Sequence, residues 1–453
     1  MRPERASGRR RALLVHPWIC DYAAYDFWIQ PLGLLFTGGF LRSRGWRVDL
    51  VDALAGARES GRRRWDGTAP FTSTVIPDPL PLPEGGGRRR FRRYGVPADE
   101  FERRLARVAR PDAILVSLQM TYWYPALETA IKALGRVHPG VPVFLGGGYA
   151  SLLPEHAAAR PGVRAVVSGR RPESAFARLC RLLGEPPPSA QEARRAPAAW
   201  DVCGEVPHAA VLTSWGCPFR CTYCATPRSF PGWHPRPAEV VAAELRGLAG
   251  RPRLRDLACY DDALLHRREE HFLPLAAALA KAGFGADRFR WHFPNGLHAR
   301  WLDRPVVAAL RDLGAATVWL GIESCDPVFQ KEWGGKVARE DVERALAAFE
   351  AERFRPRHLG AYLLAGLPGL DGESVLRSME RLHALGLRVA VATFSPIPGT
   401  PEFERAATAD PRLREQPLRQ NNTRREIEAG AEARILRRRA RELNARLDGR
   451  PPL

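Results

Sequence analysis

The stretch GCPFRCTYC, residues 216–224, decides how the rest of the chain is read. Its three cysteines at C-x3-C-x2-C spacing put three soft thiolates on one short loop, and such donors favour iron-sulfur clusters or zinc. A closed structural zinc site wants four protein ligands. No fourth cysteine or histidine follows at zinc-finger spacing, and His234, ten residues past Cys224, reaches the loop only if the chain folds back. An incomplete cysteine set is what a 4Fe-4S cluster with one open, reactive iron needs. Spacing alone leaves an unusual zinc loop or ordinary free cysteines as alternatives.

Upstream of this loop, short apolar runs alternate with helical periodicity. Strands are expected over 11–17, 46–52, 111–119, 141–151 and 162–169, with helices over 31–44, 125–137 and a last one ending near 183. This pattern describes an α/β domain, a Rossmann-like doubly wound parallel sheet over residues 10–184, whose ligand lies beyond the carboxyl ends of the strands. The loops after Pro17, Ser117, Leu145 and Ser168 should then line one crevice. Gly146, Gly147 and Gly148 would let backbone approach a bulky ligand, although they also suit a tight strand-to-helix turn. Residues 55–96, with PDPLPLPEGGGRRR, break the pattern and read as a surface insertion or mobile lid. The Pro-rich segment 185–205 reads as a linker.

Downstream, HAAVLTSWG reads as a strand running directly into the cysteine loop. Five more strand-like segments alternate with helical ones: LRDLACYDD, FRWHFPNG, ATVWLGIES, HLGAYLLAG and RVAVATFSP. Six alternations over 206–405 suit a partial (β/α)6 barrel with its site at the carboxyl ends of the strands. Asp261, Asp262, Asn295, Glu323, Ser324, Gly366 and Ser395 stand at those ends. Residues 406–453 form a short helical tail, with RREIEAGAEARILRRRARELNARL as one terminal helix. So short a tail leaves enclosure of a substrate to the 55–96 insertion.

At 453 residues and 45% hydrophobic content, the chain can bury more than one core. It has no run of eighteen apolar residues, and MRPERASGRRR leads straight into a strand, so a soluble cytoplasmic protein without a membrane span is expected. Eight cysteines, three of them clustered, fit a reduced compartment with a metal site. The net charge of +19 invites a nucleic-acid reading. Lysine occurs only at 132, 281, 331 and 336, so 65 of the 69 basic residues are arginine, a bias that follows base composition more than function. Nucleic acid is therefore disfavoured as a partner, with RNA kept as a lesser alternative for the arginine clusters near 61–65 and 88–93.

On these residues the chain resembles the radical S-adenosylmethionine superfamily, in particular the subfamily with an N-terminal cobalamin-binding domain. The resemblance spans roughly residues 10–405. It rests on Cys217, Cys221 and Cys224 with Tyr223 before the last cysteine, and on GIES (321–324), LLAGLPG (363–369) and FSPIPGTPEF (394–403). In the N-terminal part it rests on PVFLGGGYASLLPEHA (142–157) and ILVSLQMT. The Asp-x-His-x-x-Gly signature of other cobalamin proteins is absent, and the acidic stretch common after the fifth strand reads GRRPE (169–173), with only Glu173 acidic.

The resemblance implies that the three cysteines hold a 4Fe-4S cluster whose open iron is chelated by S-adenosylmethionine. It places Tyr223 and Gly366 along the adenine, Asp261 or Asp262 on the methionine ammonium, and Glu323 and Ser324 on ribose or methionine. Ser117, Gly146, Gly147 and Gly148 would line cobalamin. The activity implied is reductive cleavage of S-adenosylmethionine to a 5'-deoxyadenosyl radical, used to methylate an unactivated carbon of a small molecule, lipid precursor or peptide. The implied partner is a one-electron reductant such as flavodoxin or ferredoxin. Cyclisation or rearrangement on the same cofactors, RNA modification, and cobalamin or cluster sensing without turnover are the alternatives. Cys20 is placed toward the crevice, Cys259 and Cys325 read as small hydrophobes, and His16, His292 and His298 have no partner visible in the sequence.

Overall fold

The computed structural model describes residues 9–57, 63–64, 67–82, 89–169, 171–355 and 358–448. Five strands build the first sheet: β1 (Arg11–His16), β2 (Arg47–Asp52), β3 (Ala113–Ser117), β4 (Val143–Gly146) and β5 (Ala165–Val166). They are all parallel, in the order β2-β1-β3-β4-β5. Parallel sheets are covered on both faces, which is why these segments read as almost continuous apolar runs. Along β1, Ala12 and Leu14 face one core together with Phe36 and Phe40, while Leu13 and Val15 face another with Phe101, Leu127 and Leu134. The chain changes direction across the sheet between β1 and β3, the switch point at which this topology binds its ligand.

Six strands build the second sheet: β6 (His208–Val211), β7 (Asp256–Cys259), β8 (Arg290–Leu297), β9 (Ala315–Glu323), β10 (His358–Ala365) and β11 (Arg388–Thr393). They pair in parallel and in sequence order, an open barrel with β6 and β11 as its edges. The β11 edge is covered by the helix Ala431–Asp448. The buried Asn444 side chain accepts from the Val389 N–H and donates to the Val389 carbonyl, both at 2.9 Å, and so stands in for a neighbouring strand.

Several expectations are corrected. HAAVLTSWG is not one strand: β6 stops at Val211, and Ser214–Cys217 turns aside to pair antiparallel with Gly232–Pro235. The run 141–151 stops being a strand at Gly146, and Gly147–Leu152 is a helix. The terminal helix is two, Asn422–Glu428 and Ala431–Asp448, parted at Gly430 with φ +60°. The 55–96 insertion is not a lid over its described residues. Ser73–Val75 pairs with Arg92–Tyr94, which pairs with Ile19–Asp21, and Phe71, Phe91 and Tyr94 are buried. Those strands are three residues long, too short for alternation to register in the sequence. The Gly-Arg part of that insertion, 83–88, lies outside the described residues. The 185–205 linker is packed too: Trp200 is buried, and the Pro197 carbonyl fills the place a Cβ on Gly39 would need.

The aromatic loop after β1 locks the two sheets together at the amino end of the barrel. Trp28 stacks on His292 with centroids 4.1 Å apart, and the Arg63 guanidinium lies 3.8 Å from the same indole. His292 is satisfied inside the barrel by Asp256 at 3.0 Å and Thr317 at 3.1 Å. His16 also has a partner, Asp52 at 2.9 Å. Cys20 is fully buried, and burial pushes its thiol up to about 12, so it offers nothing to the crevice. Among the described residues no helix is long and apolar enough to cross a membrane.

Replacing Asn444 by Leu strands a buried N–H and a carbonyl on β11 and should cost about 1–3 kcal/mol. The check is a lower urea midpoint and faster proteolysis of the tail. Arg438→Ala, on an exposed face of the same helix, should shift stability by less than about 0.5 kcal/mol.

Candidate functional site

The three cysteines sit on a hairpin at the carboxyl end of β6. Gly216 turns the chain into it with φ +79°, and a Cβ there would lie 2.0 Å from the Gly232 carbonyl oxygen, so only glycine fits before Cys217. Cys217, Cys221 and Cys224 are all free and half-buried. The Cys224 N–H donates to the Cys221 carbonyl at 3.1 Å, and the Thr226 N–H donates to the Cys224 sulfur at 3.4 Å. Burial pushes the Cys217 thiol up to about 12, and the neighbouring Asp262, Cys224 and Cys221 push the same way. The three thiols are thus close enough to influence one another's charge. Among the described residues no three His, Cys, Asp or Glu side chains are gathered for a single metal ion. A tetrahedral zinc at about 2.3 Å from each sulfur requires such gathering, whereas a multi-iron cluster takes one thiolate per iron and holds the sulfurs further apart.

The two adjacent aspartates after β7 do different work. Asp261 is buried and fully engaged: it accepts from the Thr213 N–H at 2.8 Å, the Thr213 hydroxyl at 2.7 Å, the Ser214 hydroxyl, and the Cys259 thiol at 3.0 Å. Asp262 faces the cysteine loop instead. Burial and the charge of Asp261 push its carboxyl up to about 7, opposed only by a hydrogen bond from Thr226. A carboxyl buried here without a cation is matched to a ligand that brings one.

On the other side of the loop, Glu323 ends β9 in the left-handed region, φ +66°, where a non-glycine residue is strained. Its carboxylate pairs with Lys336, and both side chains are largely buried. Burial alone would lower the Lys336 pKa, but Glu323, Cys221 and Cys224 outweigh it and hold the ammonium charged. Tyr223 packs edge-on against Trp333, and its phenol is pushed well up by burial, then by Glu323 and Cys221. Ser324 is committed to a turn, its hydroxyl accepting from the Asp326 N–H at 3.1 Å. Gly366, φ +74°, leaves open backbone at the end of β10, with nothing nearer its missing Cβ than Thr393 at 3.9 Å. Asn295 and Ser395 both bond to backbone, at the Tyr260 and Gln420 carbonyls respectively.

Two functional contacts were missed from the sequence. Lys336 carried a signal, since only four lysines stand among 69 basic residues. Glu402 carried none: it is wholly buried, its N–H donates to the Thr222 carbonyl at 3.2 Å, and its carboxylate accepts from the Thr222 hydroxyl at 2.8 Å. It thus grips the residue between two of the cysteines from 180 positions away.

In the first sheet, Ser117 and Gly146 end neighbouring strands and are paired in register. A Cβ on Gly147 would lie 2.4 Å from the Leu118 carbonyl oxygen and one on Gly148 2.4 Å from that of Gln119, so packing of the chain against itself already requires these two glycines. Gly146 meets only ordinary contacts, and Met120, three residues past the end of β3, is exposed. The loops 118–123 and 146–153 contain no histidine. The helix Gly147–Leu152 packs against the helix Thr226–Ser229, which starts two residues past Cys224. The tail closes the flank of this crevice: the Thr121 hydroxyl donates to Gln420 at 2.6 Å and Asn421 donates to Asp21 at 2.9 Å. The tail also bonds to the insertion over its described residues, Arg424 donating to the Leu80 carbonyl at 2.5 Å and to the Pro81 carbonyl at 3.2 Å.

The Radical SAM superfamily matches residues 211–382, and the B12 binding domain matches residues 85–179. The chain carries a radical SAM domain and a B12-binding domain. An uncharacterized methyltransferase of Pyrococcus horikoshii is 25% identical over 203 residues, 44% of this chain and 42% of that one. The bacteriochlorophyllide d C-12(1)-methyltransferase of Chlorobaculum tepidum is 25% identical over 201 residues, 43% of this chain and 41% of that one. The match thus spans less than half the length of either relative. Among solved structures, the radical S-adenosylmethionine methyltransferase TsrM from Kitasatospora setae, with cobalamin and a [4Fe-4S] cluster bound, superposes with a TM-score of 0.63 at 16% identity, over 89% of this chain and 78% of that one. The cobalamin-dependent radical enzyme OxsB superposes with a TM-score of 0.54 at 15% identity, over 92% and 57%. These likenesses establish the fold. The cofactors that go with the two families are a 4Fe-4S cluster, S-adenosylmethionine and cobalamin.

Glu402→Ala should release the cysteine loop and lower iron retained after anaerobic reconstitution several-fold, whereas Glu402→Gln, which keeps an acceptor for Thr222, should retain most of it. For Asp262, the folded state keeps a proton that the unfolded chain gives up near the ordinary value of 3.8. Stability due to this group therefore falls as pH rises from about 4 through about 7, by at most about 4 kcal/mol. Asp262→Asn should flatten the cluster-free protein's urea midpoint across that window relative to the parent.

Proposed function

We propose that this protein is a cobalamin-dependent radical S-adenosylmethionine enzyme that methylates an unactivated carbon of a small molecule or peptide. One observation carries the reading. The helix at the carboxyl edge of the B12-binding sheet touches the helix leaving the cysteine loop, so both cofactor sites open on one crevice.

When bound, the cluster and S-adenosylmethionine supply a carbon-centred radical, and cobalamin supplies the methyl group. In this proposal Cys217, Cys221 and Cys224 hold three irons. The Thr226 N–H at the Cys224 sulfur stabilises the thiolate there. Asp262 accepts from the methionine ammonium, a charge-assisted bond that would return its pKa toward the ordinary range. Lys336 faces the methionine carboxylate, and Glu323 orients Lys336. The open backbone at Gly366 passes along the adenine. Ser117 and Gly146 border the cobalamin, with Gly147 and Gly148 fixing the turn that leaves room for it. Asp261, Ser324 and Tyr223 act by positioning: Asp261 fixes the hairpin, Ser324 the turn after Glu323, and Tyr223 the wall beside Cys221.

The proposal extends to organisation and surroundings. Residues 10–184 form the cobalamin unit, 206–405 the radical unit, and 406–453 a tail that covers both. Eight free cysteines suit a reducing cytoplasm, where a small acidic electron carrier such as flavodoxin or ferredoxin would reduce the cluster.

Protein purified without oxygen and reconstituted with iron, sulfide and cobalamin should show both chromophores. With a strong reductant it should consume S-adenosylmethionine, giving 5'-deoxyadenosine and S-adenosylhomocysteine. Alanine at Cys217, Cys221 or Cys224 should abolish that turnover. A preparation with full cluster and cobalamin and no consumption of S-adenosylmethionine would overturn the proposal.

A further inference from the structure

Arg228 lies four residues past Cys224, on the helix Thr226–Ser229 that meets the helix Gly147–Leu152 of the first sheet. It is exposed, yet it has a seat. Its guanidinium rests against Gly399 in the loop after β11: a Cβ there would come within 2.6 Å of Cζ, 2.7 Å of Nε and 2.8 Å of an Nη. Gly399 also has φ +81°, so any side chain at this position meets both backbone strain and the arginine. The cation itself rests on the loop after β11, and the short helix that carries it follows the cysteine loop and packs on the helix Gly147–Leu152.

Three other arginines near the site are neutralised or tied down, whereas Arg220, exposed in the cysteine loop, has no side-chain partner among the described residues. Arg236 pairs with Glu244 at 2.7 Å, Arg300 donates to the Gly335 carbonyl at 3.0 Å, and Arg405 pairs with Glu332. Among the described residues the Arg228 side chain forms no ion pair and no hydrogen bond, its backbone N–H alone donating, to the Ala225 carbonyl at 3.0 Å. A guanidinium that is held in place but unmatched binds an oxyanion through two parallel N–H donors.

We infer that Arg228 is a substrate-recognition residue and that the molecule modified in this crevice carries an oxyanion, a carboxylate or a phosphate. This rests on the proposed function, because a substrate must lie where the two cofactor sites meet.

The test uses the reconstituted holoprotein without reductant, so its outcome is independent of turnover. Arg228 is labelled with phenylglyoxal, an arginine reagent, and its modification rate is followed by peptide mass spectrometry. Inorganic phosphate or succinate, at about ten times its own dissociation constant, should slow labelling of Arg228 roughly tenfold, while sodium chloride at matched ionic strength should not. Protection by phosphate alone assigns a phosphorylated substrate, and protection by succinate alone a carboxylic acid. Four results would overturn the inference: no protection by either anion, equal protection by chloride, protection by S-adenosylmethionine alone, or an Arg228 already unreactive in the holoprotein. The last two would place the residue on a cofactor. Failure here with S-adenosylmethionine still consumed discards the anionic substrate and keeps the enzyme. Arg228→Lys should keep part of the anion-dependent rise in melting temperature and Arg228→Met none, with cluster and cobalamin content unchanged in both.

Discussion

The carboxylate of Asp261 is the contact on which the site depends. Buried charge is tolerated only when its acceptor capacity is filled, and here Thr213, Ser214 and Cys259 fill it. Those donors come from the residues where β6 ends, where the cysteine hairpin begins, and from the last residue of β7. One side chain thereby fixes the point at which the chain leaves the barrel wall and turns into the cysteine loop. His271 extends the network through the Thr213 hydroxyl at 2.9 Å. With Asp261 spent on geometry, Asp262 is the carboxyl of the pair that lies against Cys217 and Cys224.

The rest of the architecture brings two strand-end crevices together and keeps them there. At the amino end of the barrel, Arg63, Trp28 and His292 form a stack that ties the first sheet to the second. At the carboxyl end, residues 416–424 of the tail bond to Asp21, Thr121 and Tyr124 on one side, while Ser395 donates to Gln420 on the other. Polar bonds shielded from water hold such a strap more firmly than surface ion pairs would. The large excess of arginine contributes little to this, since most of its ion pairs are exposed. Arg236–Glu244 is an exception, sealed in the interface core with both side chains almost inaccessible.

How much was legible depended on the range of each interaction. The eleven sheet strands could be read because burial on both faces leaves an unbroken apolar signature within each strand. The cysteine triad could be picked out because its spacing is local. The short strands inside 67–96 were hidden by their length, and the hairpin at Ser214 was hidden because nothing in HAAVLTSWG marks the end of pairing with β7. Between Asp261 and Asp262 the sequence offered no choice, since adjacent identical residues differ only in what they face.

Local chemistry in the sequence determined the two α/β units, the three-thiolate loop with a ligand missing, and the glycines that turns require, because each needs only neighbouring residues. Tertiary structure alone decided which aspartate the hairpin saturates, that Lys336 pairs with Glu323, that Glu402 holds Thr222, that the tail bonds to the first sheet, and that the Arg228 guanidinium rests on Gly399. Those outcomes rest on contacts between segments as much as 400 residues apart in the chain, and burial and charge at such contacts have no local sequence signature.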